Sequence, residues 1–178
     1  SKTGPNERQK LQRQFWQRMR AKFAEANTQL VLGKYTDYGN WMNCEVGVER
    51  NRIRIYFDKD HCGYRVMAHL DGRKSNPDYS HHCFQHMLSN RSEIERVAGV
   101  GLNWGWEKCT DLVEVEIFKQ FPLRDFSDQQ SWPQLISVMR QQFKDFKSAF
   151  EPHMQSFVAT HGCLQPVSYT HLTLPTIF

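Results

Sequence analysis

WMNCEVGVERNRIRIYFDKDHCGYRVMAHL, Trp41 to Leu70, holds three alternating runs in close succession. Met42, Cys44, Val46 and Val48 alternate with Trp41, Asn43, Glu45 and Gly47. Ile53, Ile55 and Phe57 alternate with Arg52, Arg54 and Tyr56, and Tyr64, Val66, Ala68 and Leu70 with Arg65, Met67 and His69. A period of two, rich in β-branched and aromatic residues, predicts half-buried antiparallel strands. Glu49-Arg50-Asn51 and Asp60 to Gly63 supply turn chemistry between them.

Outward from this meander the period changes. Before it, Leu11, Phe15, Met19 and Phe23 fall at four-residue steps with Trp16 beside them. That spacing predicts an amphipathic helix from Glu7 to about Ala26, with Lys10, Arg13, Gln17 and Arg20 on its polar face. Asn27 to Asn40 reads as a connection, with a short strand at Gln29 to Leu32. After the meander and a polar loop at Asp71 to Pro77, a second helix is predicted from Asp78 to Ala98, stopped by Gly99. Leu102, Trp104 and Trp106 alternate with Asn103 and Gly105, and Val113, Val115 and Ile117 with Glu114 and Glu116. These predict a fourth and a fifth strand, with a turn at Lys108 to Asp111. A long helix is predicted to open at Ser131-Trp132-Pro133, since proline is tolerated in a first turn, and to end or kink at Pro152. The order α-βββ-α-ββ-α argues an α+β fold, an antiparallel sheet of about five strands with helices packed on it. Residues 1–6 read as a linker or frayed end, 7–159 as one domain, and 160–178 as a disordered tail.

The chain has 178 residues, 39% hydrophobic and 24% charged, the composition of a globular domain rather than a disordered one. It opens on Ser1, as a fragment or processed form would, and shows no signal peptide and no apolar run long enough to span a membrane. Cys44, Cys62, Cys83, Cys109 and Cys163 are odd in number and contain no CxxC pair. A disulfide framework is disfavoured, and a reducing cytoplasm is the expected setting. The net charge is +4, and up to Glu25 seven basic residues face two acidic ones, so the basic excess belongs to the first helix.

Several constellations bear on chemistry. His82 and His86 stand four apart on a helix, the spacing at which two imidazoles share a zinc ion. No third ligand follows at a fixed spacing, and a solvated polar face accounts for them. Glu114 and Glu116 place two carboxylates on one strand face, with Lys119 three residues on and Asp58 closing an earlier strand. Carboxylates around Mg²⁺ beside a lysine are what a metal-dependent nuclease needs. The letters Asp145-Phe146-Lys147 also fit such a motif but fall within the last helix, away from any strand edge. There is no GxSxG, P-loop or GxGxxG. Arg52, Arg54 and Arg65 with Tyr56 between them, and the basic face of the first helix (Lys10, Arg13, Arg20), form a pattern that tracks a phosphate backbone. Trp41, Trp104 and Trp106 read as core residues, and Cys44 and Cys83 as core thiols.

LQRQFW at Leu11 to Trp16, NWMN at Asn40 to Asn43, Gly47-Val48, Ile94-Glu95, LNW at Leu102 to Trp104 and SWPQLI at Ser131 to Ile136 occur here in order. As a set they resemble the bacterial domain-of-unknown-function family numbered 4268, over about Glu7 to Met154. The resemblance implies a compact α+β domain that occurs alone or behind a nuclease-like domain, and it carries no catalytic residues or cofactor. VSYTHLTLPT at Val167 to Thr176 is similar instead to a translated sequencing adaptor, so His171 is assigned to no site.

The expectation drawn from these features is an accessory binding module without a catalytic site or cofactor of its own, with nucleic acid as the leading partner. A protein-interaction or homodimerisation module is the alternative, and a metal-dependent nuclease built on Asp58, Glu114, Glu116 and Lys119 is third. No membrane association is expected.

Overall fold

The computed structural model describes residues 4–34, 39–72, 78–105 and 113–161. The three alternating runs form β1 (Trp41–Glu45), β2 (Asn51–Phe57) and β3 (Gly63–Gly72). With β4 (Val113–Pro122) they make one antiparallel sheet in the order β1-β2-β3-β4. The predicted first run extends to Val48, but the strand ends at Glu45, because Gly47 turns the chain at φ 70°. Arg50 (φ 72°) completes that turn, and His61 (φ 56°) sits in the next one.

Among the described residues four α-helices accompany the sheet: α1 (Glu7–Glu25), α2 (Asp78–Ser89), α3 (Arg91–Ala98) and α4 (Trp132–His161). Asn6 and Gln9 form a reciprocal capping box that fixes where α1 begins, at 2.9 and 2.8 Å. The helix predicted over Asp78 to Ala98 is two helices. Asn90 leaves helical geometry (φ −109°, ψ 20°), and its side-chain amide donates to the His86 carbonyl at 2.8 Å. That local bond competes with helix continuation and allows the break. Pro152 does not end α4. Met154 and Phe157 beyond it are fully buried, and Phe157 packs edge-on to Tyr79 at 5.6 Å, which holds the last turns in place.

One apolar sheet face, made of Ile53, Ile55, Phe57, Val66, Ala68, Val115 and Ile117, is buried under the helices. Trp16 of α1 stacks on Phe57 at 4.8 Å and donates its indole N–H to the Gly39 carbonyl at 3.0 Å. Phe15, Phe126 and Trp132 close an aromatic cluster around them, with centroids 5.2 to 5.3 Å from Phe15.

Among the described residues the sheet has four strands, where about five are expected. Where a fourth run was predicted, only Asn103 pairs with Phe118, through two backbone hydrogen bonds. Gly99 (φ 91°) and Gly101 (φ 87°) take a left-handed backbone that a strand cannot use, so over residues 99–105 the alternation of Leu102 and Trp104 yields a single bridge. The short strand predicted at Gln29 to Leu32 survives as a bridge from Leu32 to Cys44 on the outer edge of β1. Trp106, the turn at Lys108 to Asp111 and the adaptor-like stretch lie outside the described residues. Thr160 and His161, expected in a tail, belong to α4.

Candidate functional site

Alternation leaves the other sheet face to polar and aromatic side chains, and the antiparallel register sets them in rows. Trp41 stands opposite Tyr56, Tyr56 opposite Arg65, and Arg65 opposite Gln120. The next row runs Asn43, Arg54, Met67, Phe118, and the next Glu45, Arg52, His69, Glu116. Asp71 and Glu114 face each other beyond them. The face forms an open cleft of about 700 Å³, lined by Trp41, Tyr56 and His69, by four cations (Arg52, Arg54, Lys59, Arg65) and by four carboxylates (Asp58, Asp71, Glu114, Glu116).

These charges balance in number, and two of each sign stand on different strands. Arg52 and Arg54 stand on β2, whereas Glu114 and Glu116 stand on β4, two strands away. At about 4.8 Å per strand spacing, the two walls lie roughly 10 Å apart. Arg54 is anchored, donating to Asn43 Oδ1 at 2.8 Å and lying 5.1 Å from the Trp41 ring centroid. Burial first, and repulsion from Arg52 second, lower its guanidinium to about 10, so it remains charged at neutral pH. Arg65 spans the Phe118 ring at 4.2 Å and reaches Glu116 at 3.7 Å.

His69 lies between the walls. It is 1% exposed, with both ring nitrogens buried away from solvent. The Glu114 carboxylate approaches Nε2 only to 3.8 Å. The His69 imidazole, then the Arg54 and Arg52 guanidinium groups, hold the Glu114 carboxyl below its usual value against the opposing effect of burial.

Of the sequence candidates, Arg52, Arg54, Arg65, Glu114, Glu116 and Asp58 meet in this cleft. The residues named for a nuclease are only partly brought together. Lys119 pairs in register with buried Val66 and lies beside Gly99 and Gly101, on the opposite sheet face from the two glutamates. Asp58 is held by Gln120, four residues along β4 from Glu116, about 13 Å away at strand rise. Among the described residues no group of three His, Cys, Asp or Glu side chains could hold a metal ion.

The basic face of α1 is likewise separate, since α1 packs on the apolar side of the sheet through Phe15 and Trp16. Lys10 pairs with Glu7 at 3.0 Å. Arg20 donates to the Gly33 carbonyl and touches Met42 Sδ at 3.7 Å, holding the segment that borders β1. Arg13 is half-buried on the same helix. His82 and His86 do not converge either. His82 is exposed, while His86 bonds to Ser156 Oγ at 2.9 Å and faces Phe157 at 5.7 Å.

Sequence reasoning passed over Trp41, Lys59, Asp71 and His69. Trp41 was expected in the core, yet its alternation with Met42 already put it on the polar face. The same parity, running Arg65, Met67, His69, Asp71, marked His69 as a member of that face.

The fold and face define a four-stranded antiparallel sheet, helix-backed on one side and carrying a charged cleft on the other. Residues 11–154 match the family model described as a domain of unknown function, DUF4268, and the chain belongs to that family. No curated protein and no solved structure matches it significantly. Among the described residues, no helix is long and apolar enough to cross a membrane.

Proposed function

We propose that this domain is a binding module for single-stranded nucleic acid, using the open face of its sheet and no reactive centre of its own. The observation that carries the reading is the gathering of Arg52, Arg54, Lys59 and Arg65 with Trp41 and Tyr56 in one cleft. Cations that follow a phosphate backbone, beside aromatic rings on which bases stack, are the general means of holding a single strand. The β4 glutamates confine the phosphate track to the β1–β2 side. The basic residues of α1 take no part, being on the far side of the sheet. Fluorescence anisotropy with labelled single-stranded and duplex oligonucleotides tests this. Salt-sensitive binding that favours the single strand supports it, and an unchanged anisotropy at low salt ends it.

The placing of Arg52 and Arg54 on β2 and of Glu114 and Glu116 on β4 favours a second reading. Two copies related by a two-fold axis would set the arginine wall of one against the glutamate wall of the other. That pairing would appear as a sedimentation coefficient rising with protein concentration in the absence of any oligonucleotide.

A further inference from the structure

Three carboxylates on the β3–β4 side of the cleft have no part in holding a phosphate backbone. Asp71 faces Glu114 in the register, and Glu116 stands two residues from Glu114 on the same sheet face. Arg65 answers Glu116 at 3.7 Å. Among the described residues no arginine or lysine forms an ion pair with Asp71 or Glu114. The Glu114 carboxyl, held below its ordinary value of 4.5, is ionised at neutral pH. The charge of this wall is felt across the cleft, where Glu114, Glu116 and Asp71 each favour the charged form of Arg54.

We infer that Asp71 and Glu114 make the cleft reject a second phosphate backbone, and so a duplex, a selectivity that rests on the nucleic-acid reading given above. A duplex that lays one backbone along Arg52 and Arg54 carries its other backbone across a minor groove about 6 Å wide. The β2 and β4 strands stand two spacings, roughly 10 Å, apart. The second row of phosphates therefore comes over Asp71 and Glu114. Phosphate and carboxylate are both anions with no proton to share at neutral pH, so no hydrogen bond offsets their repulsion. Like charges set against each other suppress the wrong partner while the attraction at β2 is kept for the right one. A single strand has no second row and meets the attraction alone.

The test measures anisotropy on the full chain at low salt with a labelled strand of adenine and cytosine, which cannot fold on itself, alone and annealed to its complement. The parent should bind the single strand about tenfold tighter than the duplex. In the double variant Asp71→Asn, Glu114→Gln the duplex should gain about tenfold, the scale of two close like-charge contacts removed, while the single strand changes by less than about threefold. That second value also reports that the variant is folded. Both substitutions leave the Arg65–Glu116 pair in place, so the gain cannot come from a freed arginine. Glu7→Gln with Glu25→Gln removes two exposed carboxylates from α1, behind the sheet, and controls for net charge. An equal gain in that control, or a preference that survives the cleft variant, would overturn the role of Asp71 and Glu114. Equal binding of both forms by the parent, with salt sensitivity intact, would overturn the duplex rejection and leave the binding reading standing. Binding of neither form would remove both.

Discussion

Removing Arg52 probes the cleft most directly. Each cation that neutralises a phosphate releases bound counterions, and for a single strand the slope of log K against log salt is about −0.7 per contact. Of the four cleft cations, Arg65 is paired with the Glu116 carboxylate, whereas Arg54 is held by the neutral Asn43 amide, so Arg52, Arg54 and Lys59 are taken for the phosphate track. Three contacts give a slope near −2, so affinity should fall about twentyfold between 50 and 200 mM salt. Arg52→Ala should bring the slope to roughly −1.4 and the loss to about sevenfold. Arg52 stands on the polar face of β2, so its truncation leaves the apolar layer intact. Lys10→Ala on α1 is the control and should leave the slope where it was. The assay is an anisotropy titration at four or more salt concentrations with a labelled thymine octamer. A slope that Arg52→Ala does not change, or one that Lys10→Ala reduces equally, would refute the assignment of the phosphate track to the sheet.

Three further outcomes follow from other parts of the molecule. The depressed Glu114 carboxyl stabilises the fold above its ordinary value of 4.5, and that contribution is lost as the pH falls through its lower folded value. Glu114→Gln should therefore lower the urea midpoint at pH 6, and the variant and parent curves should converge in acid. Burial pushes the thiols of Cys44 up to about 11 and Cys83 up to about 12, so at pH 8 an alkylating reagent should modify their peptides only after denaturation. Exposed Cys62 should be modified in the native protein, which peptide mass spectrometry would read directly. Trp16→Ala removes a fully buried indole, its stacking on Phe57 and its hydrogen bond to Gly39, and should cost about 3–5 kcal/mol in chemical denaturation.

What the sequence disclosed about this fold tracks the physical range of each signal. Alternation is a nearest-neighbour property, so β1, β2 and β3 and their two faces were readable from Trp41 to Leu70, with the helical spacing of α1 and α4. The failures came where a local pattern competed with a backbone or tertiary constraint. Leu102 and Trp104 alternate as strand residues do, but Gly99 and Gly101 put the chain into a left-handed path just before them. The helix break at Asn90 depended on one side-chain bond to His86, and the survival of α4 past Pro152 on the burial of Phe157. For the site, parity grouped the arginines and glutamates correctly. It could not show that α1 lies behind the sheet, nor that Lys119 points away from Glu116, because both depend on which face the helices cover.

The meeting of α1 with α4 bears on how the chain acquires its structure during synthesis. Phe15 packs on Trp132 at 5.3 Å, Arg18 lies 4.9 Å over the same indole, and Phe23 meets Phe143 at 6.3 Å. Residues made earlier thus find partners made more than a hundred positions later. The meander can pair locally as it leaves the ribosome, but the apolar stripe of α1 has no full cover until α4 has emerged. Closing that long loop is an entropic toll collected late, and it makes completion of the fold nearly all-or-none. A nascent chain stalled before Trp132 would leave Phe23 without Phe143 and Phe15 without its Trp132 contact, a hydrophobic signal of the kind that chaperones bind.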